Sequence, residues 1–202
     1  DGSGLEAEGR LQQVLRKSVV VRLGAVRRVS LESPLRVTLA QAVCRSDRMD
    51  FALQKAVELG VSAIIPLVTA RSRLPDDPRR LARKQAHWQG VIVAACEQSG
   101  RAHVPRCAPV QALDDWLQAK PAAVDMGLVL DPAASCGLRR SPQPRGKVTV
   151  LIGPEGGLSG AELERAMAAG FRSLRLGPRV LRTETAGLAT LAALQVLWGD
   201  LG

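Results

Sequence analysis

Two loops late in the chain carry residue types suited to holding a small charged ligand. They are Leu151-Ile-Gly-Pro-Glu-Gly-Gly-Leu-Ser159 and Leu176-Gly-Pro-Arg-Val-Leu-Arg-Thr-Glu-Thr-Ala186. Each is an apolar run that ends in a Gly-Pro loop and leads into a helix, the place where an α/β sheet presents backbone N–H groups to a ligand. Gly153, Gly156 and Gly157 are expected to supply positive φ and close backbone approach, with Pro154 stiffening the turn. The backbone of Gly153, Gly156, Leu176, Gly177, Val180, Leu181 and Thr183 is the expected cradle. Arg182, just before a helix N-terminus, offers positive charge to an oxygen on which negative charge develops. Glu155, in the other loop, offers a carboxylate to orient a cofactor or to accept a proton, directly or through water. Structural roles stay open for both: Arg182 bridging to a carboxylate, Glu155 pinning its turn.

The elements that position these loops are legible in the pattern. Lys147 to Ile152 is short, apolar and rich in Val and Ile, as a buried strand is. Ser159 and Glu162 have capping-box spacing, so a helix should start there and end at Gly170. A strand over Ser173–Leu176 follows, then an irregular segment, then a last helix with Thr183 as N-cap and Ala186, Leu188, Leu191, Leu194 and Trp198 along it. That helix is apolar on nearly every face, which predicts cover on more than one side and, in a domain of this size, a homodimer.

Upstream, strands and helices alternate. A strand over Arg36–Ala42 is followed by a helix capped by Ser46 that turns Met49, Ala52, Leu53, Ala56 and Val57 inward and stops at Gly60. A strand over Val61–Leu67 precedes a long helix from about Pro78 to Gln98, with Leu81, Trp88, Val91, Ile92 and Ala95 inward. A short helix around Asp114–Ala119, a strand over Gly127–Leu130 and a loop over Arg139–Lys147 complete the series. The alternation predicts a parallel sheet covered on both faces.

The formal net charge is +9 and the pI about 10.4, which favours a polyanionic partner. Because 23 of the 28 basic residues are arginine, genomic base bias is the alternative reading of that charge. With no tyrosine and only Phe51 and Phe171 as phenylalanines, the composition weighs against an aromatic stacking platform of the RRM or OB type, and contact with nucleic acid should run through arginine and backbone. Arg101, Gln98 and Arg71 are the candidates, from Cys96-Glu-Gln-Ser-Gly-Arg101 at a helix end and from Arg71-Ser-Arg73 after the second strand. The first motif also reads as a plain Gly100 helix stop, and the second as solvated surface charge. The four cysteines are widely spaced and there are two histidines, which predicts free thiols and no metal site. No apolar run reaches membrane-helix length and no leader is visible, so a globular protein of the cytoplasm, with no membrane association, is expected. No G-x-G-x-x-G follows the first strand and no G-K-[ST] occurs, against a Rossmann or P-loop enzyme.

These motifs together resemble the bacterial 16S rRNA uridine-N3 methyltransferases of the RsmE type, in the SPOUT superfamily. The resemblance is carried by Ile152-Gly-Pro-Glu-Gly-Gly-Leu-Ser159 with Glu162, by Leu176-Gly-Pro-Arg-Val-Leu-Arg-Thr-Glu-Thr185, and by Glu32-Ser-Pro-Leu35, Gln54-Lys-Ala-Val-Glu-Leu-Gly60, Glu97-Gln-Ser-Gly-Arg101 and Gly199-Asp-Leu201. It covers about residues 32 to 202. It implies a SPOUT α/β sheet with a C-terminal trefoil knot that binds S-adenosylmethionine, although knotted chains are rare. It further implies that Leu130 walls the cofactor pocket, and that the substrate is a uridine N3 in 16S rRNA, in the decoding region, presented as naked rRNA or in the assembled small ribosomal subunit. Residues 1–31 are expected to be the end of a PUA-like RNA-binding β-barrel whose earlier strands lie before Asp1, and 32–202 the methyltransferase domain. RNA ribose 2′-O methylation and a non-catalytic role in RNA binding or ribosome assembly are the alternatives.

Overall fold

The computed structural model describes residues 2–72, 74, 77–119 and 125–202. Arg73 lies outside the described residues. Seven strands form one sheet in the order β5 (Arg106–Cys107), β4 (Val61–Val68), β3 (Arg36–Ala42), β8 (Lys147–Ile152), β7 (Met126–Leu130) and β9 (Phe171–Leu174), with β6 (Gln111–Ala112) also pairing with β4. Every pairing in it is parallel. The near-continuous apolar runs expected of such strands are present: Val148, Val150, Leu151 and Ile152 in β8 are all buried.

Helices cover both faces. On one, α1 (Ser46–Glu58), α2 (Pro78–Ser99) and α5 (Thr183–Trp198) share a core with Met49, Leu53, Trp88, Ile92, Leu191 and Leu194. On the other, α3 (Leu113–Gln118) and α4 (Gly160–Ala168) pack Leu113, Trp116, Leu117 and Ala166 around Leu67, Leu151 and Phe171. The inward face expected for α1 is buried residue for residue, and Gly60 follows it at φ +77°.

Three local expectations are corrected. The last strand is Phe171–Leu174 rather than Ser173–Leu176, because after Leu174 the chain leaves the sheet and the Arg175 N–H donates to the Cys136 carbonyl instead. Ser46 is not the cap of α1: Arg45 takes that place without a side-chain cap bond, and its N–H donates to Glu155 Oε1 at 3.0 Å. Thr183 is the first residue of α5 rather than its N-cap, which is Arg182, and the Thr183 hydroxyl is used elsewhere. The capping box at α4 is as expected, with Ser159 and Glu162 bonded reciprocally.

The N-terminal segment is a two-stranded antiparallel ribbon, β1 (Leu5–Val14) and β2 (Val19–Arg28). Leu11, Val14, Val19, Leu23 and Val26 along it are exposed. The ribbon is fastened at its base, where Gly4 N–H donates to Ala102 O and Val29 N–H to Gly4 O. Among the described residues no helix is long and apolar enough to cross a membrane.

Candidate active site

Because β9, β7 and β8 are neighbours in the sheet and all point the same way, the loops leaving their C-terminal ends meet. This is the edge where open α/β sheets bind ligands. The three loops enclose a cleft of about 450 Å³. Leu130, Asp131 and Pro132 come from the end of β7, residues 152–158 from β8, and Leu174–Leu176 with Arg179–Thr183 from β9. The structure therefore brings together Leu130, Gly153, Pro154, Glu155, Gly156, Leu176, Val180, Leu181, Arg182 and Thr183. Gly177 instead lines an adjoining cleft that shares one wall with this one.

The first loop is tight for a reason other than the expected one. Only Gly157 has positive φ, +69°, and its N–H closes the turn onto the Pro154 carbonyl at 2.8 Å. Gly153 is needed for space, since a Cβ there would sit 2.9 Å from the Leu158 nitrogen. At Gly156 a Cβ would meet the Arg71 side chain at 3.0 Å. The second loop is tied to the first through Thr183, whose hydroxyl donates to the Gly153 carbonyl at 2.6 Å and accepts from Gln41 Nε2 at 2.9 Å. Gln41 is fully buried in β3, so the sheet interior sets the position of both loops.

The two candidate catalytic side chains differ in freedom. Arg182 is exposed at the mouth of the cleft, with no side-chain partner among the described residues. Glu155 is held: it accepts from the Arg45 N–H and lies 3.9 Å from Arg48 Nη1. Burial pushes its carboxyl up, but the N–H bonds from Arg45 and from its own backbone, with the charges of Arg48 and Arg45, outweigh this and hold it below the usual carboxylate value. A carboxylate stabilised in its ionised form is a weak proton acceptor, so the geometry favours pinning and orientation over general-base work.

The RNA candidates separate. Arg101 is corrected: its side chain is only 6% exposed, ion-paired with Glu32 and donating to the Val57 and Val61 carbonyls at 2.9 Å, which leaves it no surface for a phosphate. Gly100 is the left-handed stop of α2, at φ +72°. Gln98 is exposed at the end of that helix. Arg71 arches over the first loop and donates to the Gly156 carbonyl.

Arg48, Asp131, Arg175 and Arg179 also line the cleft and were not singled out by motif. Asp131 had a usable signal, since it directly follows the end of a buried strand on the ligand edge. Its carboxylate accepts from Ser173 Oγ and from the Ala133 N–H. All four cysteines are free thiols, and burial first, with Glu155 and Glu184 nearby, pushes the Cys44 thiol up to about 12.

The cleft suits S-adenosylmethionine. Its volume falls in the usual range for small-molecule sites. Ile152, Leu176, Leu181 and Ala186 give an apolar wall for a purine, and Asp131 and Glu155 give negative charge for the ammonium and sulfonium ends.

Comparison with known proteins agrees with this arrangement. The model of the RNA methyltransferase domain matches residues 31–195. The ribosomal RNA small subunit methyltransferase E of Bacillus subtilis is 32% identical, across 98% of this chain and 81% of its own length. The protein of the same name from Buchnera aphidicola (Schizaphis graminum) is 36% identical, across 85% of this chain and 70% of its own. Among solved structures, ribosomal RNA small subunit methyltransferase E from Neisseria gonorrhoeae, bound to S-adenosylmethionine, superposes with a TM-score of 0.92 at 39% identity, covering 100% of this chain and 83% of that one. A methyltransferase from Legionella pneumophila, solved with the same cofactor, gives 0.94 at 41% identity over 100% and 82%. With its sheet and cofactor edge inside the matched region, the chain belongs to the RNA methyltransferase family, among the ribosomal RNA small subunit methyltransferases of the RsmE type.

Proposed function

We propose that the chain is an S-adenosylmethionine-dependent methyltransferase of 16S ribosomal RNA and that its acceptor atom is the N3 of a uridine. The observation that carries this reading is the cleft in which three loop ends, tied through Thr183 and Gly153, face Arg182, which has no side-chain partner among the described residues. When bound, S-adenosylmethionine supplies an electrophilic methyl group on its sulfonium. The chain's own residues do the rest. Leu130, Leu176 and Leu181 hold the purine and exclude water, and the N–H groups of the two loops orient the remainder. Attack by N3 requires loss of its imide proton to water at the mouth of the cleft, which leaves negative charge on the uracil oxygens until the methyl–sulfur bond breaks and its electron pair stays on sulfur. Arg182 meets that charge at the mouth of the cleft. Glu155, fixed by Arg45 and Arg48, keeps the first loop in place rather than taking the proton.

The remaining features follow the same reading. The exposed β1–β2 ribbon fits the end of a PUA-like unit that contacts RNA, with residues 1–31 and 32–202 as the two domains. A lone two-stranded ribbon is marginal in water, which supports its being part of something larger. A trefoil knot around α5, a homodimer and a cytoplasmic location complete the proposal. Nucleoside analysis of 16S rRNA and of assembled small subunits after incubation with protein and cofactor is the test. 3-Methyluridine is the expected product; a 2′-O-methylated nucleoside would overturn the acceptor assignment, and no methylated product with cofactor bound would overturn the enzymatic one.

A further inference from the structure

Beside the cofactor cleft lies a second, of about 700 Å³, and its lining is unusual in charge. Arg139 and Arg140 reach it from the turn before β8 and Arg175 and Arg179 from the loop after β9, and among the described residues no acidic one lines it. All four arginines are exposed, and none has a side-chain partner among the described residues. Arg101 and Arg165 show the alternative, each held against a carboxylate, Glu32 and Asp114.

The backbone holds these like charges together. Leu138 is 7% exposed and anchors the short 3-10 turn Leu138–Arg140, so that the two following arginines stand outside the core. The Arg175 N–H bond to Cys136 O ties the β9 exit to the same segment, and the Arg140 N–H donates to Gly137 O. Convergent guanidinium groups without a counter-charge raise one another's energy, and a bound polyanion relieves this. Ser135 and Thr185 add hydroxyl donors, and Gly137 and Gly177 let a ligand approach the backbone. The wall shared with the cofactor cleft consists of Arg175, Leu176, Arg179 and Leu181, so whatever fills the second cleft runs past the methyl donor's site.

We propose that this arginine-lined cleft binds the phosphodiester backbone of the RNA strand on the side of the flipped or splayed target nucleotide, with Arg139 and Arg140 as phosphate contacts. The proposal rests on the reading of the chain as an rRNA methyltransferase. A strand fits better than an isolated phosphate because four cations around a space of about 700 Å³ match several charges rather than one.

The test uses the full chain and the double variant Arg139→Gln/Arg140→Gln, since these two residues line only the second cleft. Binding of 16S rRNA is measured over a range of salt, alongside calorimetry with S-adenosylmethionine. Cofactor affinity should be unchanged, which shows that the variant is folded. RNA affinity should fall on the order of tenfold, and the slope of log K against log salt should become shallower by about 1 to 2, as for loss of two phosphate contacts. Unchanged RNA affinity and slope in the variant, with a normal wild type, would overturn the cleft assignment alone. A wild type that binds cofactor but no RNA would overturn the rRNA reading as well. Uridine monophosphate serves as the small-ligand arm: if it binds the wild type as tightly as the RNA does and loses as much in the variant, the cleft is a nucleotide site and the strand proposal falls.

Discussion

The Thr183 hydroxyl donates to the Gly153 carbonyl at 2.6 Å, so the first residue of the last helix is bonded directly to the end of β8. The same oxygen accepts from Gln41, which joins the two ligand loops to the interior of the sheet. Thr183→Val keeps the shape but leaves the Gln41 amide with only its bond to the Ala42 carbonyl, and the Gly153 carbonyl without the hydroxyl, in a mostly buried place. A stability loss of about 1–3 kcal/mol is expected, together with weaker cofactor binding because the loops separate. Urea unfolding and calorimetry measure the two effects; wild-type values for both would refute the role.

The two glycines of the first loop should respond differently to alanine. At Gly153 the new Cβ would lie 2.9 Å from backbone, which cannot yield without opening the turn. At Gly156 it would lie 3.0 Å from the flexible Arg71 side chain, which can swing away. Gly153→Ala should therefore weaken S-adenosylmethionine binding by on the order of tenfold or more, about 1.4 kcal/mol, whereas Gly156→Ala should change it little. Titration of both variants decides, and the reverse order would refute this account of the loop.

Local signals in the sequence carried much of this, and their failures have physical causes. The Ser159–Glu162 box and the β8 run are short-range patterns, and both stand where the sequence places them. Thr183 carries a capping residue's chemistry, but a buried partner 142 positions away in Gln41 claimed its hydroxyl. Arg101 had the type and position of a phosphate ligand, yet Glu32, 69 residues distant, took it into an ion pair. Arg139 and Arg140 lie in a stretch that reads as linker, because only the folded loops bring them opposite Arg175 and Arg179. Long-range pairing of polar side chains leaves no periodicity to read.

Glu162 makes a prediction about acid. It is 2% exposed, closes the capping box and also accepts from the Ala70 N–H at 2.8 Å, joining α4 to the end of β4. Burial raises its carboxyl, but the bonds from Ser159 and Ala70 and the charge of Arg165 outweigh this and bring it below the usual value. A carboxyl depressed in the folded state stabilises the protein above the pKa it has when unfolded, and that stabilisation is lost as pH falls through the folded pKa. Glu162→Gln should thus cost about 1–3 kcal/mol at neutral pH, with the gap to wild type narrowing in the acid range below the ordinary carboxylate value. Unfolding curves across pH check this; a gap constant with pH would refute it.

Association can be tested without disturbing the core. Leu191 and Leu194 of α5 are fully buried within one chain, so substituting them would unfold the domain. Val196 and Leu197, near its end, are 56% and 46% exposed, and with Leu201 they form the apolar surface a second copy would cover. Val196→Glu/Leu197→Glu should convert a dimer to monomers with little change in the stability of each chain. Sedimentation of the wild type as a monomer at micromolar concentration would refute the homodimer.

Arg182 and Glu155 face the same cleft, and kinetics should separate their roles. If Arg182 stabilises charge on the uracil oxygens, Arg182→Ala should lower kcat by roughly 10²-fold and leave cofactor affinity nearly unchanged, because the interaction strengthens only as the imide ionises. Turnover retained with cofactor binding lost would place Arg182 in the cofactor pocket instead. Glu155 accepts a fixed N–H bond and is held in its ionised form, so Glu155→Gln should loosen the first loop and raise the cofactor Kd while the shape of the kcat against pH profile stays as in the wild type. Recovery of kcat in Glu155→Gln at alkaline pH, where more uridine is ionised in advance, would instead mark Glu155 as the proton acceptor.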